Sequence, residues 1–156
     1  MPKQKKTVKE TAHKKGHDFE KKVSRWATKY FKADEIYTNI LLNGLRVKRP
    51  YEIDVYVIKK GFLGGLLGNS INIMIECKNL KSSIKRTHIF KQISTAQDIN
   101  EAYNNGRESN YFDYLAFVSA SKFDIDALHY AQDNDIACFY YDGKKYELKT
   151  IPSWIN

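Results

Sequence analysis

Only two cysteines and three prolines occur among the 156 residues, and no apolar run is long enough to cross a bilayer. Two cysteines cannot build the disulfide framework of a small secreted domain, so Cys77 and Cys138, which lie in apolar segments, are predicted to be buried and reduced. The basic N-terminus is not followed by an apolar segment, which argues against a secretory signal. These absences predict a cytoplasmic protein that has no membrane partner.

Several signatures of metal and nucleotide sites are also missing. No glycine-rich loop is followed by Lys-Ser or Lys-Thr, so neither a nucleotide-hydrolysing motor nor a nucleotide cofactor is predicted. The four histidines show no zinc-ligand spacing with the two cysteines, and no zinc site is predicted. No helix-turn-helix or zinc-finger pattern is present, which argues against a separate module that reads a long DNA sequence.

Positive charge is what the chain has in excess. The formal net charge is +8, which favours polyanionic partners such as DNA. Much of the surplus lies in residues 1–15, where six lysines accompany one glutamate. Such an arm can contact phosphates without reading sequence, and the alternative is a solvated tail that only aids solubility. We predict a basic flexible arm over 1–15 and a single domain over 16–156.

Apolar periodicity predicts the order of the secondary-structure elements. Helices are expected near 17–31, 84–103 and 124–132, and strands near 35–42, 51–58, 71–78, 111–119, 136–141 and 146–148. The order α-β-β-β-α-β with an added α-β predicts an α/β fold in which helices flank a central mixed sheet. The loop Gly61–Asn69 holds four glycines and four large apolar residues, and it is predicted to be an exposed interaction surface.

Three charged residues interrupt the two most apolar predicted strands. Because side chains on a strand alternate, Glu76 and Lys78 share one face, and Asp54 is predicted on the face opposite Ile53 and Val55. Two carboxylates and a lysine at one point suit a Mg²⁺-dependent phosphodiester hydrolase, since the metal activates water and neutralises developing charge. The alternative is a solvated sheet face that carries ion pairs.

With these residues placed, the chain resembles the PD-(D/E)xK nuclease superfamily, in particular its Mrr-like restriction-endonuclease branch and the archaeal Holliday-junction resolvases. The resemblance covers roughly residues 16–148, and Ile53 stands where many relatives have proline. It implies a restriction-endonuclease-like core and a metal-dependent DNA endonuclease of repair or restriction. The matching segments are Gly16–Glu20, Ile53–Asp54, Glu76–Lys78, Leu115–Ser119, Ile136–Phe139 and Asp142–Gly143.

By this resemblance, Asp54 and Glu76 are ligands of Mg²⁺, for which Mn²⁺ is expected to substitute, and Lys78 is the catalytic lysine. Cys77 lies between Glu76 and Lys78 in the chain, and its backbone carbonyl is a third candidate metal ligand. Glu20 matches a first-helix glutamate near the metal, although the helix dipole alone also favours glutamate in a first turn.

Gln92 is the remaining candidate, because in related nucleases a polar residue of this helix approaches the active site. Gln92 follows Lys85 and His88 at i+7 and i+4 on one predicted stripe of the helix, and the alternative is an ordinary solvated face. Phosphate contacts are predicted for Lys14, Lys15, Lys81, Lys85, Arg86 and Lys91.

The predicted function is metal-dependent cleavage of DNA, directed by DNA structure or by a partner protein. The resemblance also implies a homodimer, since a nuclease of this size often cuts both strands as a dimer. The alternative is a non-catalytic nucleic-acid-binding protein that retains the nuclease fold.

Overall fold

The computed structural model describes residues 3–61 and 68–155, and side chains from residue 13 onward. The elements of this part of the chain are α1 (Lys3–Tyr30), β1 (Glu35–Leu42), β2 (Tyr51–Lys59), β3 (Ile71–Lys78), α2 (Arg86–Asn104), β4 (Tyr114–Ser119), α3 (Ile125–Asp133), β5 (Ala137–Tyr141) and β6 (Tyr146–Leu148). Their order is the predicted one. The α/β class, with a mixed sheet flanked by helices, is therefore confirmed.

The six strands form one sheet in the order β1-β2-β3-β4-β5-β6. Strand β2 is antiparallel to both of its neighbours, β1 and β3, while β3, β4 and β5 are parallel and β6 is antiparallel to β5. A parallel pair needs a crossover, and α2 and α3 supply the two crossovers that this sheet requires. The carboxyl ends of β3, β4 and β5 consequently lie at one edge.

Helices cover both faces of the sheet. On one face, Phe19 and Val23 of α1 pack in a cluster with Val55 of β2 and Ile75 of β3. On the other face, Met74 of β3 packs with residues of α2, and strand residues further along the sheet pack with α3. Neighbouring residues of β3 are thus buried on opposite faces, which explains its nearly continuous apolar run.

The structure changes one expectation about the N-terminus. Helix α1 begins at Lys3 rather than near residue 17, so most of the predicted flexible arm has a helical backbone. Lysine has a good helix propensity, and a lysine-rich segment can extend a helix whose later turns are packed on the sheet.

Two further sequence expectations concern the remaining segments. The hairpin predicted between β2 and β3 is present as an antiparallel pair. The interaction surface predicted for the connecting loop falls mainly on residues 62–67, outside the described residues. Among the described helices, none combines the length and apolar character needed to cross a membrane.

Candidate active site

The candidate site lies where β2 and β3 stop pairing. The antiparallel register runs from Lys59 opposite Ile71 to Val55 opposite Ile75, and it ends there. Asp54 and Glu76 occupy the next facing positions, immediately beyond the last pair. Asp54 Oδ2 instead accepts a hydrogen bond of 2.8 Å from the backbone N–H of Cys77. The hydrogen-bond acceptor of this β3 backbone N–H is therefore a side-chain carboxylate rather than a backbone carbonyl of β2.

Strand β1 is interrupted at the same level. In the β1–β2 register, Asn39 lies at the position facing Asp54, between the paired residues Thr38 and Ile40. Asn39 has a φ of +53°, in the left-handed region that asparagine adopts more readily than most residues. The ladder is thus broken on both sides of Asp54, which leaves its carboxyl group outside the regular sheet.

This interruption changes the faces that neighbouring side chains occupy. Val55 packs in the cluster of the α1 face, whereas Ile53 packs in the cluster with Met74 on the α2 face. The prediction that Ile53 and Val55 share one face is therefore wrong. Strict alternation holds only along a regular strand, and an interruption shifts the residues beyond it to the other face.

Glu76 and Lys78 lie together at the end of β3. Their side chains form an ion pair through Glu76 Oε1 and are 19% and 32% exposed. Desolvation lowers the pKa of Lys78, but the charge of Glu76 and its hydrogen bond outweigh this effect, so the pKa is raised overall. In this arrangement Lys78 is a protonated ammonium rather than a ready base.

The surroundings of Asp54 disfavour its ionised form. Burial first, and then the charge of Glu76, raise the pKa of the Asp54 carboxyl group to about 7. The Cys77 N–H and the Lys78 ammonium act in the opposite direction, and Glu20 adds a smaller negative contribution. A divalent cation at this point would favour the ionised Asp54 carboxylate, which burial disfavours.

The donors fit an ion that keeps much of its own water. Among the described side chains, no group of three or more His, Cys, Asp or Glu residues could hold a metal ion. A metal ion here would have two carboxylates, those of Asp54 and Glu76, and its further ligands would be water, phosphate or the Cys77 carbonyl. Mg²⁺ is commonly held by one or two carboxylates in this way, whereas structural zinc requires four protein ligands.

Glu20 approaches the site from α1. Its Oε2 lies 2.9 Å from His17 Nδ1. With the Asn39 amide nitrogen turned toward the carboxylates, Asn39 donates to Glu20 Oε2 at 3.1 Å and to Glu52 Oε1 at 3.3 Å. The opposite orientation would place the amide oxygen against carboxylate oxygens, which repel it. Glu20 is thus held beside the site through His17 and Asn39.

Gln92, the candidate from α2, is buried rather than part of a solvated helix face. Its side chain is buried between α2 and the sheet, where Nε2 donates to the carbonyl of Ala116 at 2.8 Å. Its Oε1 is buried and has no hydrogen-bond partner among the described residues. Gln92 nevertheless lines, with Glu76 and Lys91, a cavity of about 280 Å³. Gln92 thus lines the same cavity as Glu76, and its burial argues against the alternative of an ordinary solvated helix face, while its part in catalysis stays a prediction.

The predicted phosphate-contacting residues are exposed at several places. Lys91 lines the cavity beside Glu76, and the Arg86 guanidinium lies 4.4 Å from the centre of the Tyr130 ring. Lys81 and Lys85 follow β3 on the segment that leads into α2, and Lys14 and Lys15 project from α1. Of these residues, Lys91 is the one that the cavity places directly beside a candidate catalytic carboxylate.

The sequence analysis does not identify three residues that lie around the site: Asn39, Tyr51 and Glu52. Tyr51 and Glu52 line the cavity with Glu76. Their position immediately before Ile53 and Asp54 was a usable signal, because strand residues near a site share its edge. Asn39 gave only a weak signal, since an asparagine within a strand does not by itself indicate a left-handed conformation.

Comparison with known proteins gives a fold and no function. No protein-family model matches the chain, and no curated protein matches it. A solved structure described as "Crystal Structure of Protein of Unknown Function AF1548" is similar, with a TM-score of 0.58 and 20% identity. The match covers 84% of this chain and 59% of that chain. Likeness at this identity concerns the fold alone, so the resemblance to PD-(D/E)xK nucleases stays a prediction.

Proposed function

We propose that the protein is a metal-dependent DNA endonuclease that hydrolyses phosphodiester bonds at Asp54, Glu76 and Lys78. The observation that carries this proposal is the position of the two carboxylates. They occupy the positions that follow the last β2–β3 pair, one on each strand, with the Lys78 ammonium ion-paired to Glu76. The raised pKa of Asp54 supports the proposal further, because a bound cation would favour the ionised form of this carboxyl group.

Each residue has a distinct part in the proposed reaction. Asp54 and Glu76 would hold Mg²⁺ or Mn²⁺, which when bound supplies the Lewis acid for phosphate hydrolysis. The Cys77 N–H fixes Asp54 through Oδ2. The Lys78 ammonium can orient the attacking water or contact a phosphate oxygen, since the ion pair keeps it charged beside the carboxylates. Glu20 supports the site through its contacts with His17 and Asn39.

The proposed substrate is DNA, recognised through its structure or through a partner protein. The net charge of +8 favours a polyanion, and Lys91 lies in the cavity wall beside Glu76. The described part of the chain is accounted for by one sheet and its covering helices, which leaves recognition to the surface around the site. A homodimer is part of this proposal, by resemblance to related nucleases.

One observation favours the second candidate, a nucleic-acid-binding protein without catalysis. The described side chains offer two carboxylates at this point and no group of three metal-ligating residues. Such a small ligand set makes metal affinity depend strongly on water and on substrate phosphate. A protein that binds DNA and a weakly held cation without cutting would have the same arrangement.

A cleavage assay separates the two candidates. Supercoiled, linear, single-stranded and four-way-junction DNA would be incubated with the parent protein in Mg²⁺, in Mn²⁺ or in EDTA. We expect cleavage that requires metal and is lost in Asp54→Ala, Glu76→Ala and Lys78→Ala. Asp133→Ala, at the exposed end of α3, is the matched control and should cut like the parent. Binding of DNA by the parent without any cleavage would favour the non-catalytic candidate.

A further inference from the structure

The loop over residues 43–50 carries a concentrated positive charge at the site edge. It joins β1 to β2, contains three cations, and holds no acidic residue: the cations are Arg46, Lys48 and Arg49. Lys48 and Arg49 are exposed. The residues that follow the loop, Tyr51 and Glu52, line the cavity that contains Glu76 and Lys91. The loop therefore ends directly on the wall of the candidate active site.

The path of this loop is fixed by a buried carboxylate of α2. Asp98 is only 4% exposed. Its Oδ1 accepts the backbone N–H of Arg46 at 2.9 Å, and its Oδ2 accepts the Tyr51 hydroxyl at 3.0 Å. The carbonyl of Asp98 also accepts the N–H of Leu45 at 3.2 Å. A loop that is only solvated needs no buried carboxylate to hold it. These contacts therefore indicate that a defined position of the loop is important.

Gly44 shows how closely the loop approaches α2. A Cβ atom added at Gly44 would lie 2.0 Å from Asp98 Oδ2 and 2.8 Å from the Tyr51 ring. Both distances are shorter than contacts between non-bonded heavy atoms allow. The loop can therefore lie this close to Asp98 because Gly44 has no side chain.

The three cations of the loop differ in whether they form an ion pair with a described residue. Arg46 is neutralised by Glu101, whose Oε1 lies 2.6 Å from the guanidinium. The ion pairs formed by described residues include neither Lys48 nor Arg49. Two cations thus remain on a loop whose backbone is held in place beside the cavity of Glu76.

We propose that Lys48 and Arg49 form a phosphate-binding site that holds the DNA backbone next to the bond to be cut. The position relative to the scissile bond rests on the proposed function. The binding itself depends on the loop alone. Two cations on a loop whose backbone is held beside the cavity would bring a phosphodiester toward Asp54 and Glu76, which would otherwise repel it.

The test compares two double variants that each remove two positive charges. Lys48→Ala/Arg49→Ala alters the loop, whereas Lys29→Ala/Lys59→Ala removes exposed lysines at the opposite end of the sheet. Binding of labelled duplex DNA would be measured by fluorescence anisotropy in EDTA over a series of salt concentrations. We expect the loop variant to reduce the salt slope by roughly 1.8, about 0.9 for each lost contact, and the control to leave it unchanged. Equal slopes for the parent and the loop variant, or an equal reduction in both variants, would overturn the proposal.

Gly44→Ala tests the fixed path without removing a charge. Because the added Cβ must displace Asp98 or the loop, we expect weaker DNA binding at unchanged net charge, with folding checked by circular dichroism. If Gly44→Ala does not fold, Tyr51→Phe replaces it, since that change removes one hydrogen bond to Asp98. Binding equal to that of the parent, in whichever variant folds, would show that the loop needs no fixed path and would overturn this part of the proposal.

The two proposals can fail separately. If the parent cuts DNA while Lys48→Ala/Arg49→Ala binds and cuts as the parent does, the loop site is wrong and the endonuclease stands. If no form of DNA is cut while the loop variant still loses its share of the salt slope, the endonuclease is wrong and the phosphate site stands.

Discussion

The two ends of the β2–β3 pair are built from the same strands and have opposite character. At one end, Val55 and Val57 pair with Ile75 and Ile73, and these side chains are almost completely buried under α1. At the other end, the pairing stops and the charged side chains of Asp54, Glu76 and Lys78 follow at once. The change from core to candidate site occurs within one residue along each strand.

The difference lies in where the backbone hydrogen bonds go. In the paired end, the ladder satisfies the N–H and C=O groups and apolar side chains exclude water. In the other end, the N–H of Cys77 bonds to the Asp54 side chain, and Asn39 leaves the ladder by adopting a positive φ. An interrupted sheet thus provides polar groups at the margin of a rigid core, a suitable arrangement for holding reactive groups in place.

Asp54→Asn should have the largest effect on the site end. The variant keeps the size of the side chain and removes the charge that we propose to bind the metal, so we expect DNA cleavage to fall by at least about a hundredfold. The free energy of unfolding at pH 7.5 should not fall, since a buried charge is removed. Cleavage rates in Mg²⁺ and urea unfolding curves measure the two effects. Cleavage equal to that of the parent would contradict the assignment of Asp54.

Lys78→Arg tests whether charge alone is sufficient at this end. Arginine keeps the positive charge but has a planar, bulkier head group, so it cannot place a single ammonium beside Glu76. We expect no rescue relative to Lys78→Ala, with both variants at least about tenfold slower than the parent in single-turnover cleavage. Near-parental activity of the arginine variant would show that Lys78 serves only to balance charge.

Ile75→Ala should affect the core end in the opposite way. Ile75 is fully buried, and its truncation leaves a cavity under α1. We expect a loss of about 2–5 kcal/mol in the free energy of unfolding, measured with urea. DNA affinity at low temperature, where the variant remains folded, should match the parent. Loss of binding without loss of stability would mean that the two ends are not separable.

The pH dependence of stability should differ between the parent and Asp54→Asn. In the folded protein the pKa of Asp54 is raised to about 7 from an ordinary value of 3.8. The folded state therefore keeps a proton between these pH values that the unfolded state releases, and the free energy of unfolding falls as pH rises from about 4 to 7. The asparagine variant should lack this contribution.

Melting temperatures in EDTA from pH 4 to 8 would measure this difference. Added Mg²⁺ should raise the melting temperature of the parent at pH 7.5, because a cation that binds the folded state and favours the ionised Asp54 carboxylate stabilises that state. Asp54→Asn should show a smaller rise. Identical pH profiles for the two proteins would indicate that Asp54 is not the group whose pKa is raised.

Substitutions at Asn39 should have the smallest effect. They separate the contribution of the backbone conformation to stability from that of the side chain. Asn39→Gly permits the positive φ and removes the side-chain amide. Asn39→Ala also removes the amide, and it disfavours the positive φ as well. We expect the alanine variant to be about 1 kcal/mol less stable than the glycine variant. Thermal unfolding of both proteins gives the comparison. Equal stabilities would mean that the left-handed backbone at Asn39 carries no cost.

Much of the fold follows from local patterns. The apolar run through Ile73 and Ile75 predicts a buried strand, and the alternating strand and helix segments after it predict parallel pairing with crossovers. The placement of Glu76 beside Lys78 follows equally from the two-residue period of a strand. These inferences succeed because each depends on residues that are neighbours in the sequence.

Local patterns along the chain are enough to predict the order of elements, the apolar strands and the charged residues at their ends. The left-handed backbone of Asn39 within β1, the burial of Gln92 and the contact of the 43–50 loop with Asp98 depend on how the elements pack together. Gln92 bonds to Ala116 of β4, and Asp98 bonds to Arg46, which is 52 residues away along the chain. Periodicity within one segment carries no information about such partners, because they meet only once the sheet and α2 have packed together.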